Sequence, residues 1–155
     1  MAFLLVTRPL DEALELEKNL HLPVLKAPLL EIEIIPQDSS FLTDDYTSLI
    51  VTSARSLMIF SKLNHFLKKP IWCVGAKTAL KAKNLGFETI FNADNSAKEL
   101  CQLILSKTAP ETEKFLHICG ENLHFDIVAK LKQEGYQADK LPLYRALPIK
   151  YFSKE

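Results

Sequence analysis

Two hydrophobic patterns alternate along this chain: short continuous apolar runs closed by turn residues, and stretches in which apolar residues recur every three or four positions. The first predicts strands buried on both faces, the second helices with one apolar side. Ala2–Thr7 is the first run, with Leu4, Leu5 and Val6 at its centre. Arg8 and Pro9 break it, and Pro9 suits the first turn of a helix. Asp11 and Glu12 fall in that turn, where the helix dipole favours them. Leu10, Ala13, Leu14, Glu17 and Leu20 mark the helix. Val24 and Leu25 predict a second strand, Leu29–Ile35 an extended connector ending at Pro36, and Gln37–Asp45 a polar linker.

A new series begins at Tyr46. Ser48–Thr52 predicts a strand, Ser53–Ser56 its turn, and Leu57, Ile59, Phe60 and Leu63 a helix. Pro70–Val74 is a second apolar run ending abruptly at Gly75, with small and hydroxylated residues after it and a helix closing at Gly86. Such helix openings leave unpaired backbone N–H groups that suit an anion. Thr89–Phe91 predicts a strand, and Ser96 with Glu99 a capping box opening a helix to Leu105. Lys107–Lys114 is a loop, Phe115–Ile118 a strand, Cys119–Asn122 its turn, Leu123–Glu134 a helix and Ala138–Leu143 the last strand, leaving at Tyr144 and Arg145. Ala146–Glu155 has no strong pattern. Leu85-Gly86-Phe87 and Glu134-Gly135-Tyr136 repeat one device, a glycine just past a helix end followed by an aromatic. Strands alternating with helices predict parallel α/β layers, with functional groups at the carboxyl ends of the strands.

Composition narrows the class. The 155 residues are 48% hydrophobic and 25% charged, which describes a folded chain. Nineteen basic and 19 acidic residues cancel, so nothing points to nucleic acid or an anionic membrane, and any anion site must be local. No apolar run approaches a membrane span, and the opening run reads as a strand rather than a signal peptide. Cys73, Cys101 and Cys119 are odd in number and lack C-x-x-C spacing; they read as buried thiols of a reduced cytoplasm. His117 and His124 form no cluster with metal-ligand spacing and read as structural. There is no Ser/His/Asp arrangement, Walker-type loop or G-x-G-x-x-G.

Seven short motifs, in order, carry a resemblance: Leu5–Pro9, Pro28–Ile32, Leu49–Ser53, Val74–Ala79, Leu85–Phe87, Cys119–Glu121 and Leu143–Arg145. The chain resembles the uroporphyrinogen-III synthase family. That resemblance implies flavodoxin-like three-layer α/β/α architecture, with a parallel five-stranded sheet in a middle domain over residues 37–145. Residues 1–36 then match the opening strand–helix–strand, with connector, of a second, discontinuous domain, and residues 146–155 a crossover or tail. The returning part of that second domain has no counterpart, so strand edges at the N-terminus need cover. A homodimer exchanging the N-terminal segment is one source of it.

By resemblance, the reaction is cyclisation of hydroxymethylbilane to uroporphyrinogen III, with inversion of the last pyrrole ring and no cofactor or metal. It asks chiefly for positioning of a flexible polyanion. Tyr144 matches the family's cleft tyrosine, and a phenol can donate to the departing hydroxyl as a general acid; an amphipathic tyrosine at a strand end is the plain alternative. Thr78 matches the turn threonine, beside the amides of Gly75, Ala76 and Lys77 that would receive a substrate carboxylate; a threonine bonding its own helix is the alternative. Ser53, in the turn with Ala54 and Arg55, carries the same two readings, and Arg55 either pairs a carboxylate or is a solvated surface residue. Gly120 admits close approach of backbone to ligand, or simply makes a turn. Arg8 belongs to the incomplete domain. Two other readings stand beside the enzyme. One is an impaired relative that binds linear tetrapyrroles or joins an assembly. The other is a receiver-type module, which the strand ends Thr52-Ser53, Gly75 and Cys119-Gly120 disfavour because they lack an acidic cluster.

Overall fold

The computed structural model describes residues 3–37, 40, 43–60 and 62–150. Met1 and Ala2 of the first run, Asp38, Ser39, Phe41 and Leu42 of the linker, Ser61 of the second helix and Tyr151–Glu155 of the tail lie outside the described residues. The chain divides into two compact units. One comprises residues up to Ile34 together with those from Arg145 onward; the other runs from Ile35 to Tyr144.

In the first unit β1 (Leu4–Val6) and β2 (Val24–Lys26) pair in parallel, joined by α1 (Leu10–Asn19). Pro9 stands at the N-cap, and Asp11 and Glu12 occupy the first turn. Val6 and Ala13 are buried, whereas Leu4, Leu5, Leu10, Leu14 and Leu25 are exposed. Lys26 bonds Glu17 at 2.8 Å, tying the strand to the helix. The predicted connector contains a strand, β3 (Leu30–Ile34). It neighbours the last strand, β8 (Gln137–Pro148), which runs on from the second unit. The Ile149 N–H donates to the Leu29 carbonyl at 3.0 Å and Arg145 Nε lies 4.0 Å from Glu33, a register that descends on one strand as it ascends on the other. The expected end of the last strand at Leu143 is therefore too early. Extended backbone that finds a ladder partner continues as strand.

The second unit is a three-layer α/β/α sandwich. Its strands are β4 (Ser48–Val51), β5 (Ile71–Val74), β6 (Ile90–Ala93), β7 (Lys114–Gly120) and β8 up to Tyr144. All four contacts in the order β6-β5-β4-β7-β8 are parallel. Counted from β4 the order is 3-2-1-4-5, a doubly wound sheet whose switch point lies between β4 and β7. Strand alternation sorts the core into two layers. Leu49, Val51, Ile71, Cys73, Leu116 and Ile118 face α2 (Ala54–Ile59), a 3₁₀ turn (Leu63–Phe66) and α3 (Ala76–Asn84). Ile50, Trp72 and Phe115 face α4 (Ala97–Lys107) and α5 (Ile127–Gln133). Trp72 stacks on Phe91 with ring centroids 4.1 Å apart.

The largest departures from the expected helices are at two boundaries and one cap, and α4 also runs on to Lys107 rather than ending at Leu105. α2 stops at Ile59, because Phe60 leaves helical geometry (ψ 98°) and buries its ring 5.9 Å from that of Phe66. α5 starts at Ile127 rather than Leu123, since Asp126 takes the N-cap and accepts from the Ala129 N–H at 3.0 Å. At α4, Ser96 Oγ accepts from the Glu99 N–H at 3.2 Å as predicted, but the Glu99 carboxylate reaches back to the Asn95 N–H at 3.3 Å. Gly86 and Gly135 follow their helices with φ of 98° and 87°.

Candidate active site at the switch point

Where β4 and β7 diverge to opposite helical layers, their carboxyl ends bound a cavity of about 420 Å³. Such a crevice is the general ligand position of doubly wound sheets. Thr52 and Ser53 line it from the end of β4, Val74 from β5 and Asn95–Lys98 from the start of α4. The end of β7 adds Gly120, the loop after it Asn122–Phe125, and β8 Tyr144.

A bulge brings Tyr144 there. Cys119 pairs with Pro142 but Gly120 pairs with Tyr144, so Leu143 is the extra residue on β8. The Glu121 N–H donates to the Tyr144 carbonyl at 2.8 Å and fixes the shifted register. The Tyr144 ring then lies directly against Gly120, in space that a β-carbon would need. Gly120 therefore serves close approach, but to the tyrosine.

Ser53 is the N-cap of α2; its hydroxyl accepts from the Arg55 N–H at 3.3 Å and keeps a proton to donate. Both readings of Ser53 are thus compatible with its geometry. Thr52 Oγ1 lies 3.3 Å from Nε2 of His117 in the middle of β7. The imidazole is 0% exposed. Its pKa is pushed down to about 4, chiefly by burial; Asp126 opposes the shift and Lys140 adds to it. Asp126 is held below its usual range, first by its hydrogen bond from Lys140 (2.6 Å) and then by its cap bond to Ala129. Burial raises the Cys73 thiol to about 12 and the Cys119 thiol to about 11; all three cysteines are free and buried.

The other expected residues do not line this cavity. Gly75 caps α3 with φ 82°, but its amide donates to the Ala93 carbonyl at 2.8 Å, so it is not among the open donors expected of that turn. Ala76 and Lys77 lie on the first turn of α3, and Thr78 is only 5% exposed. Ala54 and Arg55 are half-buried in α2. Arg8 lies in the first unit, 3.5 Å from Glu12. Conversely, the pattern assigns no site role to Thr52, Asn95, Ser96, Ala97, Lys98, Asn122, Leu123, His124 or Phe125. The signal for Ser96–Lys98 is present in the sequence, since a capped helix follows a parallel strand at its carboxyl end. His124, read as structural, is exposed and lines the cavity. Among the described residues no helix is long and apolar enough to cross a membrane, and no group of three His, Cys, Asp or Glu side chains is placed to hold a metal ion.

Fold and cavity together define a doubly wound α/β protein with a small-molecule-sized site at its switch point. Residues 12–155 match the family model described as uroporphyrinogen-III synthase HemD, and the chain belongs to that family. Among solved structures it is similar to a uroporphyrinogen-III synthetase from Helicobacter pylori, with 17% identity and a TM-score of 0.58 over 86% of this chain and 59% of that one. It is also similar to a mutant uroporphyrinogen III synthase from the extremely thermophilic bacterium Thermus thermophilus, with 20% identity and a TM-score of 0.64 over 96% of this chain and 64% of that one. The chain thus spans about three fifths of the length of either structure. At these identities the likeness is one of fold. No curated protein sequence matches it.

Proposed function

We propose that this chain acts as a uroporphyrinogen-III synthase in tetrapyrrole (haem) biosynthesis, cyclising hydroxymethylbilane with inversion of its last pyrrole ring. The observation that carries this reading is the Tyr144 phenol, set against Gly120 at the switch-point cavity of a chain in this family. The terminal hydroxyl of the substrate takes a proton from Tyr144 and leaves as water. The resulting azafulvene cation is attacked by the substituted carbon of the last pyrrole, giving a spiro intermediate. The older bond at that carbon then breaks, the turned ring closes through its unsubstituted carbon, and the proton lost there returns to the Tyr144 phenolate. The site's task is to hold the chain folded while this happens, since the unguided cation closes without inversion. Positioning of this kind needs donors fixed before the reaction. Thr52, Ser53 and Lys98 supply hydroxyl and ammonium donors around the cavity for substrate carboxylates. Outside it, the first turn of α3 at Ala76 and Lys77 offers a further anion-friendly position.

Freshly generated hydroxymethylbilane incubated with the purified chain should give the type III isomer. Type I product alone, at the uncatalysed rate, would overturn the reading. Family membership over residues 12–155 supports a synthase over an impaired relative that only binds linear tetrapyrroles.

A second proposal concerns partners. The first unit leaves Leu4, Leu5 and Leu25 exposed on β1 and β2, and Leu10 and Leu14 on α1. Apolar strands and helix faces of that kind are covered when a second chain packs on them. A homodimer exchanging the N-terminal segment would supply the cover. Sedimentation should then show a dimer; a monomer over a wide concentration range would exclude the exchange. Three free, buried thiols support a cytoplasmic location.

A further inference from the structure

We infer that His117 is a positioning residue: its Nε2–H holds Thr52 Oγ1, so that the Thr52 hydroxyl proton points into the switch-point cavity as a donor to an anionic oxygen of the ligand.

The two residues meet because of sheet register. Ile50 is opposite His117 and Val51 opposite Ile118, and Thr52 follows directly at the end of β4. Alternation puts Thr52 and His117 on the face that Ile50 and Phe115 also occupy. Thr52 lines the cavity, while His117 is wholly enclosed behind it. The charged groups acting on the imidazole are Asp126 from the α5 cap and Lys140 from β8. They bond each other at 2.6 Å and so largely offset one another, leaving burial to keep the ring neutral at pH 7.

A neutral imidazole carries one proton, on either nitrogen. Nδ1 is buried and has no hydrogen-bond partner among the described residues, whereas Nε2 has Thr52. A proton on Nδ1 would leave a buried N–H donor unmet. Unmet buried N–H groups are rarer in folded proteins than under-used acceptors. The proton therefore sits on Nε2, which donates to Thr52 Oγ1. A threonine hydroxyl that accepts one bond keeps its own O–H to give, and the open side of Thr52 is the cavity. With the opposite tautomer Thr52 would donate to the ring and present only lone pairs, which repel a carboxylate. One buried proton thus decides whether this wall of the cavity attracts or rejects an anion.

The identity of the ligand rests on the proposed function; the tautomer does not. On the uniformly ¹⁵N-labelled full chain at pH 7, NMR should show a pyrrole-type Nε2 and a pyridine-type Nδ1 for His117. A pyrrole-type Nδ1, or two protonated nitrogens, would overturn the inference whether or not the chain is active. With uroporphyrinogen III as probe, Thr52→Val and His117→Met should each weaken binding about tenfold. The double substitution should be little worse than either alone. His117→Gln, which keeps a donor near the Nε2 position, should stay within about threefold of the unsubstituted chain. Equal affinities for all these chains would overturn the donor role. A chain that binds no tetrapyrrole at all would sink the proposed function, and the NMR result would still decide the tautomer.

Discussion

A β-carbon built on Gly120 would stand 2.9 Å from Cε2 and Cζ of Tyr144 and 3.1 Å from its hydroxyl oxygen. The tyrosine thus occupies the volume that a side chain at Gly120 would fill. Gly75, Gly86 and Gly135 have left-handed backbone and Gly120 does not, so Gly120 has no need of glycine for its backbone angles. Its smallness matters for contact alone.

Gly120→Ala should therefore push the Tyr144 ring out of place. The expected cost is about 1–3 kcal/mol, the usual range for overpacking, seen as a lower unfolding midpoint. In a double-mutant cycle with Tyr144→Ala most of that cost should vanish, because the clash has lost its partner. Additive effects would show that the alanine strains something other than the tyrosine.

Tyr144→Phe keeps the ring against Gly120 and removes the proton donor. Under the proposed mechanism kcat should fall about a hundredfold, within the range for loss of a general acid, with KM and unfolding midpoint little changed. The type III share of product should fall as uncatalysed closure takes over. Isomer analysis by chromatography, with unchanged kcat as the contrary result, checks this.

The stability of the fold should depend on pH through His117. Its folded pKa is about 4, against an ordinary value of 6.5, and burial is the main cause. The unfolded chain therefore takes up the proton first as pH falls. The contribution is fully present above pH 6.5 and is lost between 6.5 and about 4, amounting to about 3 kcal/mol. Urea unfolding across this window should show the slope, and His117→Gln should flatten it. An unchanged slope in that variant would assign the effect to other groups.

At Gly75 the strain lies in the backbone. Its φ of 82° and ψ of 146° belong to a region that only glycine enters readily, yet a β-carbon there meets nothing within 4 Å. Gly75→Ala should cost about 1–3 kcal/mol from conformation alone. Thermal unfolding measures it, and a neutral substitution would mean that the turn relaxes to another conformation.

Much of the second unit was legible because its signals are local. Leu49–Val51 and Ile71–Val74 are continuous apolar runs between turn residues, and both became fully paired central strands. Ser96 announced its helix by a cap that needs only a short stretch of chain. The boundaries that shifted were decided at longer range. Phe60 left its helix to reach a core containing Phe66, and Asp126, with a partner in Lys140, took the cap that Leu123 was expected to open.

The candidate site divides in the same way. Ser53 and Gly120 could be picked out because they lie at strand ends, which converge in parallel sheets. Tyr144, which lies inside β8, was picked out by its match to the family's cleft tyrosine. Gly75 and Thr78 looked equally good by pattern, but a backbone bond to Ala93 and burial set them apart from the cavity. By itself, then, the sequence determined the alternation of strands and helices, the turns between them and the absence of charge bias, because each depends on neighbours in the chain. The strand order, the bulge that seats Tyr144 on Gly120, and the contact between Thr52 and buried His117 were decided only by tertiary structure. They depend on which strands lie side by side and in what register, and residues paired across 65 positions of chain, as Thr52 and His117 are, leave no periodic trace in it.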